Sequence, residues 1–257
     1  MWDLLVCDVL RPAQDYVELR LQAPQPIDLT PGQFFMLRAG DTPDTYLPRA
    51  FSWYRSEDPS SISFLFRVQG PGTAHLASLK AGESLSAMGP LGQGFPLPAR
   101  PIRAALLGGG VGVPPLWGLA RALLAAGSEV LALIGARSQA HLVGVEEVRA
   151  LGAQVLVATD DGTAGHRGPL TELLVGERVD ALYACGPEGM LRRVQEISLA
   201  GGPPAHLALE APMACGYGVC LGCVVERTHP DPSLGEYGRY ARVCREGPVF
   251  PAGEVRF

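Results

Sequence analysis

The chain has 257 residues, 47% hydrophobic and 18% charged, with a formal net charge of -5 at neutral pH. That length permits one large domain or two to three small ones around a sizeable core. With no Lys/Arg run to neutralise phosphates, the charge balance argues against a nucleic-acid partner.

Six cysteines, four of them in one ligand-like set, point to a reducing compartment rather than a disulfide scaffold. Cys7 and Cys185 stand apart and read by default as small buried hydrophobes. Asp3 and Asp8 interrupt the start without a basic segment before them, so no signal peptide is expected. The longest uncharged run, 104–120, holds Gly108-Gly109-Gly110 and Pro114-Pro115 and falls short of the ~20 residues of a spanning helix. The expectation is a soluble, cytoplasmic protein with no membrane partner.

The first hundred residues read as β. Residues 16–21 alternate, and 61–68 place Ile62, Phe64, Phe66 and Val68 on one face. Turn signals at 30–32 and 80–83 separate such runs, as in a small antiparallel barrel. Within it, Arg49-Ala50-Phe51-Ser52 leads into a strand-like stretch. An Arg there can pair a pyrophosphate, and a Ser hydroxyl can bond a flavin nitrogen. Gly70-Pro71-Gly72-Thr73 precedes a short helical pattern through Leu79. It offers backbone N–H groups and a hydroxyl to phosphate oxygens, or it is simply a turn with Thr73 as N-cap. Together, ahead of a nucleotide-type domain, the two motifs favour a flavin.

Pro96, Pro98 and Pro101 mark a linker, after which the rhythm changes. Strand-like runs at 104–107, 130–134, 155–158, 181–184 and 206–209 alternate with helix-like runs at 114–126, 146–151, 170–174 and 188–199. That alternation predicts a parallel α/β sheet. The turn 107–114 follows a strand and opens a helix, so Gly109, Gly110 and Gly112 are candidates for close approach to a dinucleotide. Val113 takes the place of the last glycine of the usual fingerprint, and Gly135-Ala136-Arg137 stands where an acidic strand end is usual. Cys185, Gly186 and Pro187 close the fourth strand run, at the edge where ligands sit in such sheets. Cys185 either belongs to the core or faces the nicotinamide ring. Asp160 and Asp161 read as a solvated turn. The five histidines are scattered, and no hydrolytic constellation appears.

From about Glu210 periodicity fades, so a metal centre is expected to order a tail with little core of its own. Cys215, Cys220 and Cys223 have the C-x4-C-x2-C spacing of plant-type [2Fe–2S] loops, and Cys244 follows. Structural zinc is the other four-thiolate reading, but zinc ribbons usually pair two C-x2-C units and only one is present.

In order, the chain carries Arg-x-x-Ser, Gly-x-Gly-Thr, Gly89-Pro90-Leu91-Gly92-Gln93-Gly94-Phe95, the glycine turn and Cys-Gly-Pro. Met213-Ala214-Cys215-Gly216, the cysteine loop and Arg245-Glu246-Gly247-Pro248-Val249-Phe250 follow. Nearly end to end, this resembles the electron-transfer subunits of type B dihydroorotate dehydrogenase, a branch of the ferredoxin reductase superfamily. The resemblance implies a multidomain chain, β then α/β: an FAD-binding antiparallel barrel (1–98), a parallel α/β nicotinamide domain (99–209) and a small [2Fe–2S] subdomain (210–257). It further implies one FAD held by Arg49, Ala50, Phe51, Ser52, Leu65, Phe66, Arg67, Gly72 and Thr73. One cluster on Cys215, Cys220, Cys223 and Cys244, and NAD+ as acceptor, complete the set. Ala50 replaces the family's usual Pro. Also implied is an FMN-bearing catalytic partner that oxidises dihydroorotate, in a heterotetramer serving pyrimidine synthesis. No side chain of this subunit need act as acid or base. A related flavin–iron–sulfur subunit for a sulfide dehydrogenase, hydrogenase or ferredoxin–NADP reductase shares these motifs, and Arg137 would suit a 2′-phosphate. A zinc-stapled binding module is the reading from another class.

Overall fold

The computed structural model of the chain describes residues 1–38, 40, 45 and 47–257. The first sheet contains β1 (Trp2–Leu10), β2 (Tyr16–Gln22), β3 (Phe34–Leu37), β4 (Arg49–Ser52), β5 (Ser61–Arg67) and β6 (Ser84–Leu91). All its pairings are antiparallel, in the order β4-β3-β6-β1-β2-β5. The sheet curls until its edges meet. Just past β4, Tyr54 N–H donates to the Ser63 carbonyl at 2.7 Å, and Ser63 N–H donates to the Arg55 carbonyl at 2.8 Å. Among the described residues no ladder joins β4 to β5 beyond that stitch, so the barrel keeps an open seam. Ser63, inside the stitch, and Leu65 are buried along with the expected face of Ile62, Phe64 and Phe66. Phe35 and Phe64 meet edge-on inside the barrel, 5.5 Å apart. Cys7 departs from expectation: it is exposed on β1, at the register shift between Val6 and Asp8.

A short helix, α1 (Pro71–Leu76), follows β5. The second sheet begins with β7 (Arg103–Gly109), α2 (Pro114–Ala125), β8 (Glu129–Ala136), α3 (Val145–Ala150) and β9 (Gln154–Thr159). It continues with β10 (His166–Arg167), β11 (Ala181–Cys185), α4 (Glu188–Leu199) and β12 (Ala205–Ala208). The strands are parallel, in the order β10-β9-β8-β7-β11-β12. The direction of winding reverses between β7 and β11, where open α/β sheets form their ligand crevice. Residues 170–174 form a tight 3-10 turn rather than an α-helix.

The tail has more structure than periodicity suggests. β13 (Val224–Glu226) and β14 (Tyr240–Arg242) form a hairpin, and β15 (Val249–Pro251) adds antiparallel to β12. Phe250 is 2% exposed, and Cys223, Val243 and Cys244 share its core with Leu107 and Leu207. A three-residue strand is too short to show a period, yet it ties the tail to the main sheet.

Barrel and sheet share one continuous core. Trp53, which donates to the Thr30 carbonyl at 3.0 Å, lies against Gly118 of α2, and Tyr54 meets Trp117 edge-on. A Cβ on Gly118 would stand 2.2 Å from the Trp53 indole. Gly118→Ala therefore forces that ring to shift and should cost about 1–3 kcal/mol, the range for overpacking a core. A lowered thermal midpoint checks it.

Candidate functional site

Three groups of residues, far apart in sequence, come together around the seam, the crevice and the cysteine loop. At the seam, β4 and β5 bring residues 49–52 opposite 65–67, with the Phe51 and Phe66 rings 5.2 Å apart. Edge strands carry backbone N–H and C=O groups without a ladder, which suits a planar ring with donors and acceptors on its rim. Arg49 reaches across to the start of α1. A Cβ on Gly72 would sit 2.3 Å from the Arg49 Nε, so the glycine admits the guanidinium. Arg49 Nη1 also donates to the Thr45 carbonyl at 3.0 Å. Thr73 is not the N-cap, because Gly70 holds that position. From the third helical position the Thr73 hydroxyl accepts from Gln69 N–H (2.9 Å) and Gly70 N–H (3.1 Å) and donates to the Gly70 carbonyl (3.0 Å). Its role in the structure is thus to tighten the turn that presents Gly72. Arg67 Nε is buried without a hydrogen-bond partner among the described residues. A buried orphan donor at the end of β5 fits an anionic ligand such as the FAD pyrophosphate.

Arg67 also lines a cavity of 1120 Å³ between barrel and sheet. Tyr16 and Arg67 form its barrel wall, and Gly109, Gly110, Gly186 and Pro187 its floor. Burial raises the Tyr16 phenol, while the nearby charges of Arg67 and Arg137 oppose the rise, so this end of the cavity is cationic. The glycines at the crossing have a steric reason. A Cβ on Gly112 would stand 2.0 Å from the Cys185 carbonyl, and one on Gly109 2.7 Å from the Pro187 ring. Gly112 therefore lets two turns cross, rather than lying open to a ligand. Cys185 is 4% exposed and packs with Ala181 and Tyr183 on the α2 side of the sheet. Burial, then the charge of Glu210, pushes its thiol well up. Asp160 faces the cavity, while Asp161 closes its turn on Thr163. Glu210 lines the cavity too. Solvent reaches it, yet the concave wall desolvates its carboxyl enough to raise it.

The four loop cysteines fall into two pairs. Cys215 lies by Cys220, and Cys223 lies by Cys244, whose N–H donates to the Cys223 sulfur at 3.4 Å. Burial would raise the Cys215 thiol, but N–H groups of Cys220, Tyr217 and Val219 aimed at its sulfur bring it down to about 6. Burial, then the bond and charge of Cys223, pushes Cys244 up to about 12, against the Gly218 N–H. Among the described residues no three donors close around one metal point. Thiols with backbone N–H groups directed at their sulfurs suit an iron–sulfur cluster, whose negative charge such groups would share. The loop rests on the barrel: a Cβ on Gly216 (φ +78°) would stand 2.5 Å from Met36 Cγ.

Comparison with known proteins matches two regions of the chain. Residues 9–95 match the oxidoreductase FAD-binding domain, and residues 210–256 match the iron-sulfur cluster binding domain of dihydroorotate dehydrogenase B. The dihydroorotate dehydrogenase B (NAD(+)) electron transfer subunit of Bacillus caldolyticus is 40% identical over 230 residues, 88% of this chain and 86% of that protein. Its counterpart from Desulforamulus reducens is 34% identical over 261 residues, 99% of this chain and 98% of that protein. The chain belongs to this family. A chain of the NADH-dependent reduced ferredoxin-NADP oxidoreductase structure superposes with a TM-score of 0.86 at 26% identity, covering 98% of this chain and 89% of that one. The barrel, the parallel sheet and the iron–sulfur region are thus the family's fold. Among the described residues no helix is long and apolar enough to cross a membrane.

The cysteine environments can be checked without the partner. In cluster-free protein, alkylation of Cys215 by iodoacetamide should climb through pH 6 and level off above it, because its thiolate is present above that pH. An ordinary thiol titrates at about 8.5. Peptide mapping should show Cys185 and Cys244 spared at neutral pH.

Proposed function

We propose that this chain is the electron-transfer subunit of an NAD+-dependent dihydroorotate dehydrogenase of de novo pyrimidine (UMP) synthesis. In this reading an FMN-bearing catalytic subunit oxidises dihydroorotate to orotate, and electrons pass through the [2Fe–2S] cluster and FAD to NAD+. The observation that carries it is contiguity. Gly216 of the cysteine loop rests on Met36, Met36 pairs with Ala50 of the seam, and Arg67 belongs to both seam and cavity.

The bound carriers supply the conversion between single electrons and hydride that no side chain can perform. The chain supplies position. Cys215, Cys220, Cys223 and Cys244 would hold the cluster, which would supply one-electron transfer. Arg49 and Arg67 would neutralise the FAD pyrophosphate, with Gly72 admitting the Arg49 guanidinium at the turn that Thr73 tightens. Ala50, Phe51, Ser52, Leu65 and Phe66 frame the ring along the seam. Gly109, Gly110, Gly186 and Pro187 receive the dinucleotide, with Gly112 and Cys185 packing the crossing beneath. The division 1–98, 99–209 and 210–257 follows these three tasks, and two copies of each subunit form the complex in the reducing cytoplasm. Arg137 invites a 2′-phosphate, but the Asp160 carboxylate on the neighbouring strand tip repels one, so NADH is the preferred dinucleotide.

The deciding experiment is dihydroorotate-driven NADH formation after anaerobic reconstitution with the FMN-bearing subunit from the same source. Turnover that needs both proteins supports the assignment. No turnover, with FAD and cluster loaded and reducible by NADH, sinks it and moves the relay to another partner. Cys220→Ser should abolish transfer from the partner while NADH still reduces artificial acceptors through FAD. Arg49→Gln removes charge-assisted hydrogen bonds worth about 1.5–3 kcal/mol, so FAD should bind roughly 10–100-fold more weakly.

A further inference from the structure

Arg242 is tied both to the cysteine loop and to the turn that carries Cys244. Its Nη1 donates to the Gly218 carbonyl at 2.9 Å, in the middle of the loop. Its other edge is held by Glu246: Nε donates to Oε2 at 3.1 Å and Nη2 to Oε1. The Arg242 backbone N–H donates to the same Glu246 Oε2 at 2.7 Å. The two residues bracket Cys244, two positions before it and two after. On the loop side Gly218 has φ +89°, and a Cβ there would stand 2.9 Å from Arg245 Cδ and 3.3 Å from Arg242 Nη1. The Gly218 N–H is in turn directed at the Cys244 sulfur. Arg242, Gly218 and Cys244 thus close a ring around the two parts of the ligand set.

A half-exposed ion pair by itself contributes little, about 0–1 kcal/mol. Here the pair is forked, its carboxylate also accepts from the backbone, and the guanidinium spends its remaining edge on the cluster loop. We propose that Arg242 and Glu246 are positioning residues that set the reduction potential of the cluster. The inference rests on the four cysteines holding that cluster. Reduction adds a negative charge to a centre already ringed by thiolates. A fixed cation beside it favours the reduced form, and a fixed anion opposes it, because net charge and hydrogen bonding around the sulfurs are what tune such centres. Arg242 therefore raises the potential, and Glu246 holds the guanidinium in place while partly cancelling its charge.

The test is an anaerobic redox titration of the FAD- and cluster-loaded chain, followed by the EPR signal of the reduced cluster, for wild type, Arg242→Gln, Glu246→Gln and the double variant. The expected result is a lower potential for Arg242→Gln, a higher one for Glu246→Gln, and a value near wild type for the double variant. Full cluster content with unchanged potentials, or shifts in the same direction, overturns the proposal. If Arg242→Gln fails to retain the cluster, Arg242→Lys keeps the charge and loses the fork. It should then titrate near wild type, and a potential well below wild type again overturns the proposal. Iron content and the wild-type EPR signal report separately on the cysteine assignment: a wild-type chain without a two-iron signal removes that reading itself.

Discussion

The contact between Gly216 and Met36 is the constraint on which the rest of the arrangement depends. Met36 is 1% exposed, and its backbone pairs with Ala50 on one side and Met88 on the other. It cannot move without pulling two strands of the barrel. The loop side is equally committed, since Gly216 is left-handed and has no room for a side chain. The separation between the cysteine loop and the seam is therefore fixed by barrel backbone, not by the conformational freedom of a loop. Electron tunnelling falls steeply with distance, so a relay needs such a rigid spacer more than it needs reactive side chains.

The second junction, between barrel and sheet, is built the same way. Trp53 fills the space left by Gly118, and the core continues without a break into α2 and β7. A cavity with one wall on each domain would lose its shape if the domains swung apart. Here the apolar packing around Trp53, Tyr54 and Trp117 opposes that motion. Tyr16 and Arg67 consequently stay opposite Gly110, and the cationic end of the cavity is preformed.

What could be read from the sequence was what has a local signature. The strand–glycine turn–helix at 103–125, the helix Glu188–Leu199 and the cysteine spacing all announce themselves within short windows of sequence. Gly112 was legible as a glycine that must be there, but not for the right reason. Its neighbour is the Cys185 carbonyl, some seventy residues on, and no window of sequence contains both. Thr73 resembles an N-cap locally, and only the backbone shows the helix starting three residues earlier. β15 is three residues long and gains its stability from β12, so propensity and period are silent about it. Arg242 is an ordinary charged residue in sequence, and becomes distinctive only through its bonds to Gly218 and Glu246. The seam is the extreme case, because it consists of a ladder that is not formed.

The cysteine loop shows why donor geometry matters more than donor count. By count alone, four thiols in 30 residues suit zinc as well as iron–sulfur chemistry, and the C-x4-C-x2-C spacing favours the cluster. The distinction lies in how the backbone treats them. Tyr217, Val219 and Cys220 turn their N–H groups toward Cys215, and Gly218 turns its own toward Cys244. N–H groups aimed at the sulfurs would share the negative charge that an iron–sulfur cluster brings. The glycines at 216 and 218 make this possible, since both are left-handed, and each is closed against a different neighbour. Gly216 is seated on Met36 and so on the flavin seam. Gly218 is seated beneath Arg242 and Arg245 and so on the turn that carries the last cysteine. Two adjacent steps of one loop thus meet the two separate requirements of a relay: one sets where the cluster stands, and the other sets the charge that surrounds it.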